Sequence, residues 1–202
     1  MILEPDKMTP KDLYFLMVGS IVPRPIAFVS TISAGGAPNL APMSFFNGVS
    51  ASPPVVSVSV TRRRGAKKDT VRNALETAEF VVNVVDESIA VAMNRTSGDY
   101  PPEVNEFEVS GLTAIPSDLV APPRVAESPI HFECRLLRAV DVGEEPSVTT
   151  LLLGQVVRFH VRDGYLKEDG HIDPDKFHAV GKMGGPLYCR TRDRFAMERP
   201  KV

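Results

Sequence analysis

Val55-Val56-Ser57-Val58-Ser59-Val60-Thr61, running into Arg62-Arg63-Arg64-Gly65-Ala66-Lys67-Lys68-Asp69-Thr70, is the stretch on which the fold turns. From Val56 onward apolar and hydroxyl residues alternate. Val56, Val58 and Val60 therefore share one face of a strand, and Ser57, Ser59 and Thr61 share the other. One face is core and the other carries hydroxyls. Five cations follow within seven residues, and Asp69-Thr70 then opens a helix-like stretch to Thr77. A helix start presents free backbone N–H groups and a positive dipole end. Hydroxyl face, basic loop and helix N-terminus together outline a phosphate site. A charge run by itself is most simply a solvated face, and the residues leave both readings standing.

Outward from this stretch, 18 Pro and 14 Gly are scattered through the chain, as in short strands joined by frequent turns. Thr9 and Pro10 are the N-cap and first residue of a short helix to Val18. Ile26 to Ile32 and Asn39 to Val49 read as a hairpin about Ser33-Ala34-Gly35-Gly36, closed off by Pro53-Pro54. Phe80 to Val85 is a buried strand, and Glu87 to Asn94 is helical. Gly98 to Pro123 is a long irregular excursion with one short strand at Leu112 to Ile115, and loops of that length tend to be functional or partner-covered. Ile130 to Val140 and Val148 to Val161 are long strands joined by the turn Gly143-Glu144-Glu145-Pro146. Strands at this spacing predict a mainly β chain, an antiparallel barrel carrying a few short helices.

The 202 residues, 43% of them hydrophobic, suit one compact domain spanning 1–202. With 23 Lys+Arg against 25 Asp+Glu the net charge is -2, which excludes a generic nucleic-acid binder; any polyanion must be met locally. The early apolar run Tyr14 to Val18 is too short for a membrane span and wrongly flanked for a signal peptide, so a soluble, cytoplasmic protein is expected. Cys134 and Cys189 form no C-x-x-C pair and read as reduced packing residues.

Other chemistries find little support. Gly35-Gly36 is hairpin chemistry, and Gly181-Lys182-Met183-Gly184-Gly185 lacks the Walker spacing. His131, His160, His171 and His178 show no ligand-like spacing, and no metal is expected. There is no G-x-S-x-G elbow. Phe45-Phe46, on consecutive strand positions, point to opposite faces, so one can line a cleft.

The run Pro23-Arg24-Pro25-Ile26-Ala27-Phe28-Val29-Ser30-Thr31, Gly36, Asn39-Leu40-Ala41-Pro42-Met43-Ser44-Phe45-Phe46 and Pro53-Pro54 resembles the flavin reductase-like, FMN-binding split-barrel family, which includes flavoredoxin-like proteins. Lys68-Asp69-Thr70 and Asn73 continue the likeness. So do Ser128-Pro129, Glu133-Cys134, Leu153-Gly154-Gln155-Val156, the Gly181 to Gly185 motif and Tyr188.

The resemblance implies a six-stranded antiparallel split β-barrel that forms a homodimer and binds one FMN per subunit near the interface. Ala41, Pro42, Met43, Ser44 and Phe45 would lie along the isoalloxazine, supported by Thr31 and Asn39. Ser59, Thr61, Lys68, Asp69 and Thr70 would surround the ribityl chain and phosphate, with Asp69 capping its helix. Lys182 stands where family members often carry Arg, and would approach the ring or the nicotinamide side. The implied activity is NAD(P)H:flavin oxidoreduction, hydride passing to flavin N5, with no side-chain acid or base required. A flavoredoxin-type electron carrier reduced by a protein partner is the alternative, and a monooxygenase or electron-transfer protein is a possible partner. A flavin-free module contacting single-stranded nucleic acid through the basic loop is disfavoured by the -2 charge and the absence of interleaved aromatics.

Overall fold

In the computed structural model, which describes residues 1–201, helix α1 (Pro10–Ser20) is followed by strands β1 (Ala27–Ile32), β2 (Pro38–Met43), β3 (Phe46–Ala51) and β4 (Pro54–Thr61). Helix α2 (Asp69–Thr77) leads to β5 (Glu79–Val84), and the short helices α3 (Ala90–Arg95) and α4 (Glu106–Ser110) precede the two-residue strands β6 (Ala114–Ile115) and β7 (Arg124–Val125). The long hairpin β8 (Ile130–Val142) and β9 (Thr149–Val161) and the small pair β10 (Val180–Lys182) and β11 (Tyr188–Arg190) complete the chain.

The main sheet has the order β2-β1-β5-β8-β9-β4-β3, all neighbours antiparallel. It holds seven strands, one more than the six expected, because Asn39 to Val49 divides into β2 and β3. These two lie at opposite edges of the sheet, yet only Ser44 and Phe45 separate them. Three peptide steps reach at most about 11 Å. The sheet must therefore curl until its edges meet, and since those edges form no ladder the result is a split barrel.

Alternation along the strands sorts the core. Val29, Val56, Val58, Val60, Phe80, Val82, Cys134 and Leu152 fill the barrel interior. Burial pushes the Cys134 thiol well above its usual range, which fits a packing residue. The neighbours of Val29 and Val82 point the other way, so Phe28 packs outside with Leu40, Met93, Phe107 and Val125. This second cluster explains why β1 is buried on both faces.

Local signals account for the helix starts. Thr9 Oγ1 accepts from the Asp12 amide at 3.2 Å and Pro10 occupies the first turn of α1. The excursion after Gly98 contains α4, capped by Asn105, whose side chain accepts from the Phe107 amide at 3.1 Å. No described helix is long and apolar enough to cross a membrane.

Beneath β8, His131 is buried, with Nε2 2.7 Å from the Val125 carbonyl and Nδ1 unpartnered, so the ring is neutral. Burial, with the charges of Arg124, His160 and Arg162 outweighing the bond to Val125, holds its pKa down to about 4. Below pH 6.5 the unfolded chain takes up a proton that the fold refuses until about pH 4. Stability is thus full above pH 6.5 and falls as pH drops through that window, by on the order of 3 kcal/mol. Urea unfolding at pH 7, 5.5 and 4 should show this loss, and His131→Leu should reduce the slope while lowering stability at pH 7.

Candidate functional site

As a sheet edge, β2 exposes backbone groups that need partners. The Leu40 amide donates to Glu106 Oε2 at 3.0 Å, which ties α4 to this edge. Burial, more than the nearby Asp69, raises the Glu106 pKa against the stabilising Leu40 bond. Beyond this tie, Ala41-Pro42-Met43 forms an apolar ledge at the split of the barrel.

Facing the ledge is the start of α2. A buried polar hub fixes it there: Asn39 Nδ2 lies 3.3 Å from both Thr31 Oγ1 and Thr70 Oγ1, and Asn73 Nδ2 donates to Thr31 Oγ1 at 3.1 Å. The N-cap position is Lys68, whose side chain makes no cap bond. Asp69 is therefore the first helical residue and does not cap the helix; it forms an ion pair with Arg72 instead, which offsets its charge beside the cavity.

The basic loop turns tightly. Arg64 and Gly65 have φ of 48° and 78°, and reciprocal 2.8 Å bonds between the Arg63 and Ala66 backbones close the turn. This separates the cations. Arg62 faces Asp141, at 2.9 Å, and Glu145, so here the run is a paired outer face. Arg63 pairs with Asp99. Lys67 and Lys68 line the cavity, and among the described residues neither pairs with a carboxylate. Burial, and then the charge of Arg63, hold the Lys68 pKa below its usual value. Lys68 is exposed at the cavity wall, and an ammonium beside a like charge is stabilised by an arriving anion.

Between ledge and helix lies a cavity of about 400 Å³. It brings together Asn39, Ala41, Pro42, Met43, Lys68, Asp69 and Thr70 of the residues expected from sequence. A smaller chamber of about 180 Å³ holds Ser44 and Lys182 and shares Pro42 and Ser97 with the first. Thr31 stands behind Asn39, fully buried. Phe45 lies outside both linings, its ring 5.9 Å from the Arg24 guanidinium carbon. Ser59 and Thr61 also lie outside: the Ser59 amide bonds the Phe45 carbonyl at 2.8 Å, and Thr61 Oγ1 pairs with Thr149 Oγ1 at 2.9 Å.

The cavity adds Glu106, Arg72 and the segment Thr96 to Tyr100, which sequence reading had not singled out. For the last of these the signal was the length of the polar excursion that begins at Gly98. Glu106 meets Leu40 only through the fold.

Asp118, Glu133 and His160 also converge, a grouping that the spacing of the four histidines among themselves does not reveal. Both Glu133 oxygens are already engaged, by the Asp118 and Leu119 amides at 2.8 and 2.7 Å and by His160 Nε2 at 2.6 Å. The group reads as a tie between the 118–119 loop and the β8–β9 hairpin.

Residues 18–193 match the family described as flavin reductase like domain. An uncharacterised protein of Bacillus subtilis is 41% identical over 202 residues, covering 98% of each chain. The crystal structure of nitrilotriacetate monooxygenase component B from Bacillus cereus is similar at 41% identity, with a TM-score of 0.94 and 98% of each chain covered. That of the 2-nitrobenzoate 2-nitroreductase of Pseudomonas fluorescens is similar at 33% identity, with a TM-score of 0.90, over 99% of this chain and 96% of that one.

Proposed function

The chain belongs to the flavin reductase-like family, and from that premise we propose that it binds FMN and passes to it a hydride from NADH or NADPH. The observation that carries this reading is the joining, in one cavity, of an apolar ledge and a cation-lined helix start. FMN has the matching parts, a flat ring system and a dianionic phosphate. When bound, its ring supplies the two-electron chemistry at N5.

The chain's own residues position and neutralise. Ala41, Pro42 and Met43 form the floor for the ring. Asn39, held from behind by Thr31, offers its amide at the edge of that floor. Lys67, Lys68, Thr70 and the first amides of α2 hold the phosphate. Asp69 is kept from repelling it by Arg72. Thr31, Phe45, Ser59 and Thr61 are assigned no direct contact. A nicotinamide held against the ring above the ledge would react as if within one molecule. That a similar protein is component B of a nitrilotriacetate monooxygenase supports a further role, the supply of reduced flavin to an oxygenase partner. We take residues 1–202 as one such domain acting in the cytoplasm.

A homodimer completes the proposal. Tyr14, Phe15, Leu16 and Met17 on α1 are 43–56% exposed, and the edge strand β3 shows Val49 to solvent. Large apolar side chains exposed around a helix turn and an unpaired sheet edge both call for cover. Sedimentation at micromolar concentration should give twice the 22.0 kDa chain mass; a monomer that retains FMN would contradict the dimer.

The phosphate assignment is tested by Lys68→Ala, which should weaken FMN binding by about 1–3 kcal/mol and leave riboflavin binding nearly unchanged, because only FMN carries the dianion. Fluorescence titration of both ligands decides it. Equal losses would remove Lys68 from the phosphate site.

A further inference from the structure

The small chamber beside the ledge differs in chemistry from the cavity it adjoins. Its volume of about 180 Å³ is below the roughly 300–1,000 Å³ of sites for drug-sized ligands, so it takes a fragment the size of a single ring. Ile26, Pro42 and Met93 give it an apolar wall, and no acidic side chain lines it.

Two cations serve this space. Lys182 lines it directly, with Nζ 3.8 Å from the centroid of the Tyr188 ring. The ring is itself anchored, since Tyr188 donates its hydroxyl to Asn94 Oδ1 at 2.9 Å. Arg24 lies behind, only 4% exposed, and is locked to Lys182 by paired backbone bonds of 2.9 and 2.8 Å. Its guanidinium donates to the carbonyls of Val18, Ile21 and Met183 at 2.5, 2.7 and 3.0 Å. Those carbonyls and the C-terminal end of α1 fix the group in place, but none carries a formal charge. Among the described residues no carboxylate pairs with Arg24 or Lys182.

Ser44 adds a hydroxyl donor beside Asn94 and Ser97, which also line the space. Arg24 Nε–H points at Ser44 Oγ, 3.4 Å away, which occupies the oxygen as an acceptor and leaves the hydroxyl proton for another partner. Burial, and then the charge of Arg24, hold the Lys182 pKa below its usual value. An ammonium in that state gains more from an anion than a solvated one does.

We propose that the chamber of Ser44, Lys182 and Tyr188 is a binding site for a small planar anion, in class an aromatic carboxylate, held by the Lys182 ammonium and the Ser44 hydroxyl with its ring against the apolar wall. Its place beside the flavin rests on the function proposed above, but its preference for an anion does not. The site favours an acidic aromatic reactant over its neutral isostere.

Calorimetric titration with benzoate and with benzamide, on the protein without FMN and again with FMN, tests this. Benzoate should bind roughly tenfold or more tightly than benzamide, since charge-assisted bonds separate the two. Lys182→Met should abolish the difference, Lys182→Arg should keep most of it, and Ser44→Ala should narrow it. Thermal melting checks that each variant folds; should Lys182→Met fail to fold, Ser44→Ala decides. Equal binding of the two probes, no binding of benzoate, or a preference that survives Lys182→Met or Ser44→Ala would overturn the proposal. FMN binding is read in its own titration, so its failure would sink the flavin assignment while the benzoate comparison on the flavin-free protein still decides the chamber.

Discussion

Two residues, Ser44 and Phe45, carry the chain from one edge of the seven-stranded sheet to the other, and this short crossing forces the sheet to close on itself. The consequences reach the site directly. Because β2 ends at the crossing, its edge stays free of a strand partner, and the ledge Ala41-Pro42-Met43 remains open to a ligand instead of being covered by a ladder. The same crossing places Ser44 against Arg24 and so joins the small chamber to the large cavity. Barrel closure and ligand site are thus one geometric event.

What closure leaves open, a buried polar hub fixes. Asn39 and Asn73 cannot be buried with idle amides without cost, and both converge on Thr31, with Thr70 sharing Asn39. The hub binds the β1–β2 hairpin to the first turn of α2, so the helix start and its cations face the ledge at a set distance. The charge arrangement follows from this placement. A chain of net charge -2 presents Lys67 and Lys68 to the cavity without a carboxylate partner of their own, Asp69 being paired with Arg72 and Asp99 with Arg63, while the neighbouring Arg62 is spent on Asp141 and Glu145.

Much of this was legible in the sequence, wherever the determinant is local. The alternation from Val56 to Thr61 gave β4 its inner and outer faces, Thr9-Pro10 marked the start of α1, and Asp69 marked that of α2. The break at Ser44-Phe45 carried no such sign. A single Ser is a weak turn signal, Phe45 is none, and the apolar Met43 and Phe46 flank them, so Asn39 to Val49 read as one strand; only closure of the sheet divides it. Helix α4 has five residues, too few for a 3.6-residue period to show. The contacts of Glu106 with Leu40 and of Arg62 with Asp141 join residues far apart in the chain, and no spacing rule reaches them. The hydroxyl face of β4 suggests Ser59 and Thr61 for the site, but neither lines the cavity: Thr61 Oγ1 pairs with Thr149 Oγ1, and the Ser59 amide bonds the Phe45 carbonyl.

The most direct measurement of the central claim is the anaerobic visible spectrum of the protein with bound FMN, recorded before and after NADH or NADPH is added. A yellow, protein-bound flavin is expected, its visible band bleaching rapidly with at least one of the two nucleotides. A bound flavin that neither nucleotide bleaches would contradict hydride transfer and favour an electron carrier reduced by a protein partner. Failure of FMN to bind would contradict the assignment of the cavity itself.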